Sequence, residues 1–116
     1  MFGWLFGDGG GKTFDPRKLR ELLSAEDSPY VLVDVREDNE WAEGHIPGAL
    51  RAPMSRFDEA VAGLPEDKQL VFYCQSGIRS SGALRRSRLV LGLSNTKGHL
   101  DGGILNWARC GGPVER

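Results

Sequence analysis

Gln69-Leu70-Val71-Phe72-Tyr73-Cys74-Gln75-Ser76-Gly77-Ile78-Arg79-Ser80-Ser81 changes character midway. Its first half is short, apolar and rich in β-branched and aromatic side chains, which is how a strand covered on both faces reads. Cys74 stands at the carboxyl end of that strand. Gln75 to Arg79 form a loop, and from Ser80-Ser81 a helix runs through Ala83, Leu84 and Leu91. A second strand of the same kind lies upstream at Tyr30-Val31-Leu32-Val33-Asp34-Val35. Working outward, Asp15-Pro16 starts a helix, with Asp as N-cap and Pro at the first helical position. That helix carries Leu19, Leu22 and Leu23 and ends near Ser28-Pro29. A short helix fits Asp38 to Glu43 before Gly44, a brief strand fits Ala49 to Pro53, and a helix opening near Ser55 carries Phe57, Ala60, Val61 and Leu64. Thr96 to Leu100 is a weak strand, followed by a last helix over Ile104 to Cys110. Strands alternating with helices predict an α/β fold: a small, mainly parallel sheet flanked by helices on both faces.

Composition bounds the rest. The chain has 116 residues, 15 Lys+Arg against 16 Asp+Glu, and 40% hydrophobic residues. That length suits one domain. A net charge of −1 gives no bulk reason to bind nucleic acid or an anionic membrane. There is no apolar run long enough for a spanning helix, and two cysteines, Cys74 and Cys110, cannot complete a four-cysteine zinc site. Residues 1–13 read as an apolar, Gly-rich leader or linker and 14–116 as the domain. Met1-Phe2-Gly3-Trp4-Leu5-Phe6 lacks the basic start and the length of a secretory signal, so a cytoplasmic protein is expected. Gly11-Lys12-Thr13 resembles a phosphate loop only superficially. Phe6 occupies the place of the first glycine, and Asp15-Pro16 interrupts any helix running on from Lys12.

The chemistry gathers after Cys74. A strand, a glycine-containing loop and a helix N-terminus make an anion cradle, because successive backbone N–H groups point inward and the helix dipole adds positive charge. A cysteine at its floor should be reactive as a thiolate. Arg79 offers a planar, permanently charged group for an oxyanion, and Ser80 can cap the helix. The competing reading of Cys74 is an inert thiol that continues the buried strand; Gly77 and Arg79, at loop spacing, favour reactivity. No metal or other cofactor is called for.

These residues resemble the rhodanese domain family. Cys74-Gln75-Ser76-Gly77-Ile78-Arg79 fits its C-x-x-G-x-[RT] loop, and Asp34-Val35-Arg36-Glu37 its D-x-R-E strand end. Glu40-Trp41-Ala42-Glu43-Gly44-His45-Ile46-Pro47-Gly48-Ala49 is similar to E-[FYW]-x-x-G-H-I-x-G-A, and Leu100 to Trp107 with Gly111-Gly112-Pro113 to the L-x-G-G-x-x-x-W…G-x-P ending. The resemblance runs from about Pro16 to Pro113. It implies a sulfurtransferase: Cys74 takes a sulfane sulfur from thiosulfate or a persulfide donor and passes it to cyanide, a thiol or a sulfur-relay partner protein. On this reading Gln75, Ser76, Gly77, Ile78 and Ser80 cradle the sulfur and the departing anion. Arg79 and Arg36 are candidate anion ligands, and Asp34 supports the loop or an arginine. Arg51 stands where many members have Asn or His, and is expected to be exposed.

Two other functions compete. A phosphatase or arsenate reductase of the Cdc25-like kind resembles C-x5-R, whereas this chain has four residues, Gln75 to Ile78, between Cys74 and Arg79. A non-catalytic interaction module would typically lack the cysteine. Elsewhere, His45 reads as part of a structured turn, His99 as a surface or sheet residue, Trp41 and Trp107 as packing, and Arg85, Arg86 and Arg88 as a solvated helix face. Cys110 is a spare thiol.

Overall fold

The structure, a computed structural model, describes residues 11–116. The reading of Met1 to Phe6 therefore lies outside the described residues. In chain order the elements are β1 (Lys12–Phe14), α1 (Pro16–Ser24), β2 (Tyr30–Asp34), α2 (Asp38–Glu43), β3 (Leu50–Arg51), a 3-10 turn (Met54–Arg56), α3 (Phe57–Ala62), β4 (Gln69–Tyr73), α4 (Ile78–Leu89), β5 (Thr96–Leu100) and α5 (Gly103–Arg109). The five strands form one sheet in the order β1-β5-β4-β2-β3, and every pairing is parallel.

Period-two alternation along the central strands builds two cores. Leu70, Phe72 and Cys74 face one side with Val33 and Val35, packed by Phe57 and Val61 of α3 and Ala83 and Leu84 of α4. Val71 and Tyr73 face the other side with Leu32 and Leu100, packed by Leu19 of α1 and Ile104 and Trp107 of α5. Helices therefore cover both faces, as the continuous apolar strands predict. From β2 the chain moves outward to β3, then returns to place β4 on the opposite side of β2. That reversal opens a crevice beyond the carboxyl ends of β2 and β4, where α/β sheets bind ligands. Arg36 and Cys74 lie just past those two ends.

Most elements fall where the pattern puts them, with three differences. Lys12–Phe14, read partly as linker, is an edge strand with Thr13 opposite His99. Its approach needs Gly98, where a Cβ would collide with the Lys12 carbonyl oxygen and stand 2.6 Å from the Phe14 ring. Helix α1 stops at Ser24, well short of Pro29. Helix α4 begins at Ile78 with Gly77 as its N-cap, so Ser80 is a residue of its first turn and not the cap. Gly77 has φ 108°, a left-handed conformation open to glycine, and that single residue turns the chain directly from loop into helix.

Candidate active site

Strand β4 delivers Cys74 to the floor of the loop, where it is buried. Its Sγ accepts the Gly77 N–H at 3.1 Å and the Ser80 N–H at 3.3 Å, and the Ser80 hydroxyl lies 3.6 Å away. Two backbone donors, those of Gly77 and Ser80, converge on the sulfur at a helix start, a place where backbone N–H groups favour a negative atom. Gln75, Ser76 and Ile78 form the exposed rim, with Ile78 81% exposed. Helix α5 clasps the rim from behind: Ile104 N–H donates to the Cys74 carbonyl at 2.9 Å and Leu105 N–H to that of Gln75 at 3.3 Å.

The two arginines are placed differently. Arg36 is buried against Asp34: its Nε lies 3.1 and 3.2 Å from the two carboxylate oxygens, and one terminal nitrogen lies 2.8 Å from Oδ2. The same terminal nitrogen donates to the Gly44 carbonyl at 2.6 Å, while the other reaches only Gln75 Oε1 at 3.5 Å. The guanidinium also lies 5.7 Å from the centre of the Tyr73 ring. Asp34 thus holds the arginine, with its Oδ1 also accepting the Arg36 N–H at 2.8 Å. Burial, which disfavours phenolate, is the main reason the Tyr73 hydroxyl is pushed above its ordinary value. That hydroxyl accepts the Ile46 N–H at 3.1 Å.

Arg79 has its fork on a carboxylate. Its two terminal nitrogens donate to the Glu40 oxygens at 2.7 and 2.8 Å, a bidentate pair 38% and 25% exposed. The pair holds the Arg79 guanidinium charged, with the Cys74 sulfur a smaller contributor, and it pulls the Glu40 carboxyl down from 4.5 to about 2. Glu40 also accepts the Glu37 N–H at 3.0 Å, half of a capping box that fixes α2. The sequence reading missed this partner, although Glu40 stood inside one of the quoted motifs.

A groove of about 440 Å³ beside the loop is lined by Arg36, Glu40, Gln75, Leu105 and Val114 among others. His99 was expected at the surface or in the sheet. It lies in β5 and is buried at 8% exposure, its Nδ1 3.0 Å from Ser80 Oγ and its Nε2 3.4 Å from Thr13 Oγ1. His45 is structural: it stacks on Trp41 at 3.7 Å, with Nδ1 3.0 Å from the Trp41 carbonyl. Arg51 is half-buried, ion-paired with Asp38 and laid over the Trp41 ring at 4.9 Å, so its expected exposure is only partial. Of the basic run on α4, Arg86 pairs with Asp58 and Arg88 donates to the Thr96 carbonyl, tying the helix to its neighbours. Cys74 and Cys110 are both free thiols. Among the described residues, no helix is long and apolar enough to cross a membrane, and no cluster of His, Cys, Asp or Glu could hold a metal ion.

A family model described as Rhodanese-like domain matches residues 15–110. The chain is 41% identical over 101 residues to the Mycobacterium tuberculosis protein named "Probable adenylyltransferase/sulfurtransferase MoeZ", covering 85% of this chain but only 25% of that one. It is 38% identical over 100 residues to a sulfurtransferase of Allochromatium vinosum, covering 86% of this chain and 91% of the relative. Among solved structures, a rhodanese-related protein of Thermoplasma volcanium superposes with a TM-score of 0.78 at 32% identity, covering 90% of this chain and 97% of that one. A Rhodopseudomonas palustris protein of unknown function, described as a "possible tyrosine phosphatase", gives 0.79 at 30% identity, covering 90% and 85%.

Proposed function

The chain belongs to the rhodanese-like domain family, and from that premise we propose that it is a sulfurtransferase working through a persulfide on Cys74. The observation that carries this reading is the Cys74 sulfur seated under two backbone N–H groups at the start of a 12-residue helix. Those donors favour a negative sulfur both before reaction and when it leaves again. In the first half-reaction the Cys74 thiolate attacks the outer sulfur of thiosulfate. An S–S bond to Cys74 forms, the S–S bond of thiosulfate breaks, and its electron pair departs on sulfite. In the second, cyanide or an acceptor thiolate attacks the outer sulfur, and the pair returns to Cys74 as thiolate. No oxidant is consumed, and no cofactor is needed.

Gly77 and Ser80 are the donors to the reacting sulfur, and Gln75, Ser76 and Ile78 form the rim a substrate meets. Arg36, held by Asp34, is oriented towards the rim through Gln75 and supplies positive potential to an entering anion. Arg79 supplies a second cation, in competition with Glu40. A persulfide or a sulfur-relay partner protein is an alternative donor or acceptor at the same rim, and the chemistry of a free thiol suits the cytoplasm. On this proposal the chain carries one rhodanese-like domain after a leader, and because β1 pairs with β5 the proposal counts Lys12 and Thr13 with the domain.

Thiocyanate release from thiosulfate and cyanide tests the reading, with an aryl phosphate as the competing substrate. Wild type is expected to form thiocyanate, Cys74→Ser to form none, and Cys110→Ser to match wild type. The four-residue gap from Cys74 to Arg79 makes a smaller cradle than the five-residue gap of the phosphatase pattern, so phosphate release should be slow. Phosphate release faster than thiocyanate formation would reverse the assignment.

A further inference from the structure

We propose that the groove beside the Cys74 loop selects the sulfur acceptor: a small organic thiol with an apolar body and a cationic end. The groove, about 440 Å³, begins at Gln75, the residue after Cys74. Its volume falls in the range of small-molecule sites, about 300–1,000 Å³, and far exceeds what cyanide or thiosulfate fills. One wall is apolar. Leu105 and Ala108 stand one turn apart on α5, and Val114 joins them from the segment after that helix. Leu105 is 56% exposed and Val114 44%, so both present open apolar surface. An inorganic ion gains nothing from such a wall, whereas an alkyl chain buries area against it.

Charge picks the end group. Of the charged side chains that line the groove, Arg36 is matched by Asp34 at 2.8 Å and Glu40 by Arg79 at 2.7 Å. Glu43 remains. It is exposed at the end of α2, and its carboxylate has no ion-pair partner among the described residues. The uncompensated charge of the groove is therefore negative, and a cation complements it. The acidic wall stands close to the rim. Arg36 donates to the carbonyl of Gly44, the residue after Glu43, at 2.6 Å, and its other terminal nitrogen lies 3.5 Å from Gln75 Oε1, so one guanidinium spans the distance. A thiol at the rim, an alkyl chain along Leu105 and an ammonium at Glu43 use all three features. The acceptor thiol loses its proton to solvent, and the thiolate attacks the outer sulfur of the Cys74 persulfide. The S–S bond to Cys74 breaks, its electron pair stays on Cys74, and the outer sulfur leaves with its hydrogen as R–S–SH. The proposal rests on the reading of Cys74 as a persulfide carrier, but not on which donor loads it.

The test is the rate at which protein loaded with sulfur, then freed of thiosulfate, loses the extra sulfur mass to each of four thiols. Three are six-carbon alkanethiols ending in an amine, a hydroxyl or a carboxylate, and the fourth is mercaptoethanol. Each thiol is compared with itself across variants, so its own acidity cancels. Glu43→Gln should slow the amine about two- to fivefold, the scale of an exposed ion pair, and leave the hydroxyl thiol unchanged. Leu105→Ser should slow all three six-carbon thiols about three- to tenfold and leave mercaptoethanol unchanged. Asp101→Asn removes an exposed carboxylate past the end of β5, outside this groove, and should leave all four rates unchanged. All three positions are exposed, so the substitutions leave the core intact. An amine rate untouched by Glu43→Gln, the same loss in Asp101→Asn, or a Leu105→Ser variant that slows mercaptoethanol as much as the longer thiols would overturn the proposal. Wild type that takes no sulfur from thiosulfate removes the sulfurtransferase reading. The groove is then read on the unloaded protein by the symmetrical disulfides of the same thiols, which form a mixed disulfide with Cys74 and release one thiolate. The same pattern across variants, read by the mass of the Cys74 peptide, supports the groove, and a flat pattern overturns it.

Discussion

Arg79 and Glu40 hold each other beside Cys74, and that pairing sets what each can do for a substrate. An arginine whose fork already grips a carboxylate must release it, or share it, to grip an anion. Glu40→Gln keeps the amide-compatible end of the capping box but removes the competing charge. It should raise kcat/KM for thiosulfate about three- to tenfold, on the scale of part of a charged hydrogen bond. Arg79→Ala should lower it about ten- to a hundredfold, and Arg79→Lys should recover only part of that, lacking the planar fork. If Glu40→Gln instead falls alongside Arg79→Ala, the pair is a brace for the loop, and Arg36 is the anion ligand. Cys74, its loop and the Asp34–Arg36 unit were legible in the sequence because each is a local arrangement, set within seven residues by a strand end and its turn. The Glu40–Arg79 pair was not, because it joins positions 39 apart whose meeting depends on how α2 lies over α4. The Ser80–His99 contact was not legible for the same reason: His99 lies in the sheet, one of the two places expected for it, but nothing near it in sequence shows that Ser80 will arrive.

Helix α5 positions the loop through backbone contact, so the element has a weak point that is not a catalytic side chain. Gly103 opens α5 with φ 65°, and a Cβ there would lie 2.5 Å from the Cys74 carbonyl oxygen and closer still to that of Gln75. Both are main-chain atoms, which cannot swing aside. Gly103→Ala should therefore destabilise the protein by at least about 1–3 kcal/mol from the left-handed conformation alone, and should slow thiocyanate formation as the loop shifts. Gly82, inside α4 with open space at its Cβ, is the control. Gly82→Ala should stabilise by roughly 0.5–1 kcal/mol with activity unchanged. Urea unfolding midpoints and turnover of both variants check this, and equal midpoints would contradict the clasp. At this scale β2 and β4 could be read directly from apolar runs and α2 from its Gly44 stop, while β5, Thr96-Lys97-Gly98-His99-Leu100, has no apolar run and read only as a weak strand. β1 could not, because three residues after a glycine run carry no period of their own. It becomes a strand only because Gly98 on β5 lets it approach.

Across the whole molecule, exposed and half-buried acid–arginine pairs tie helices to one another and to the loop: Glu40 with Arg79, Asp38 with Arg51 and Arg56, and Asp58 with Arg86. In each the arginine pulls the carboxyl below its ordinary value. A carboxyl lowered in the folded state contributes stability above its unfolded value and loses it as pH falls through the folded one. For Glu40 that window runs from about 4.5 down to about 2. Urea unfolding of wild type and Glu40→Gln should show a wild-type advantage at neutral pH that shrinks across this window; an advantage independent of pH would contradict the pairing. The parallel sheet, with its chain reversal between β2 and β4, sets Arg36 and Cys74 just past neighbouring strand ends, and the proposed function rests on the claim that Cys74 carries a sulfur. Intact mass after incubation with thiosulfate and removal of excess reagent tests that claim most directly. Wild type and Cys110→Ser should each gain one sulfur atom, removed again by cyanide, and Cys74→Ser should gain none. A wild type that stays at its original mass, or a Cys74→Ser variant that still gains the sulfur, would contradict it.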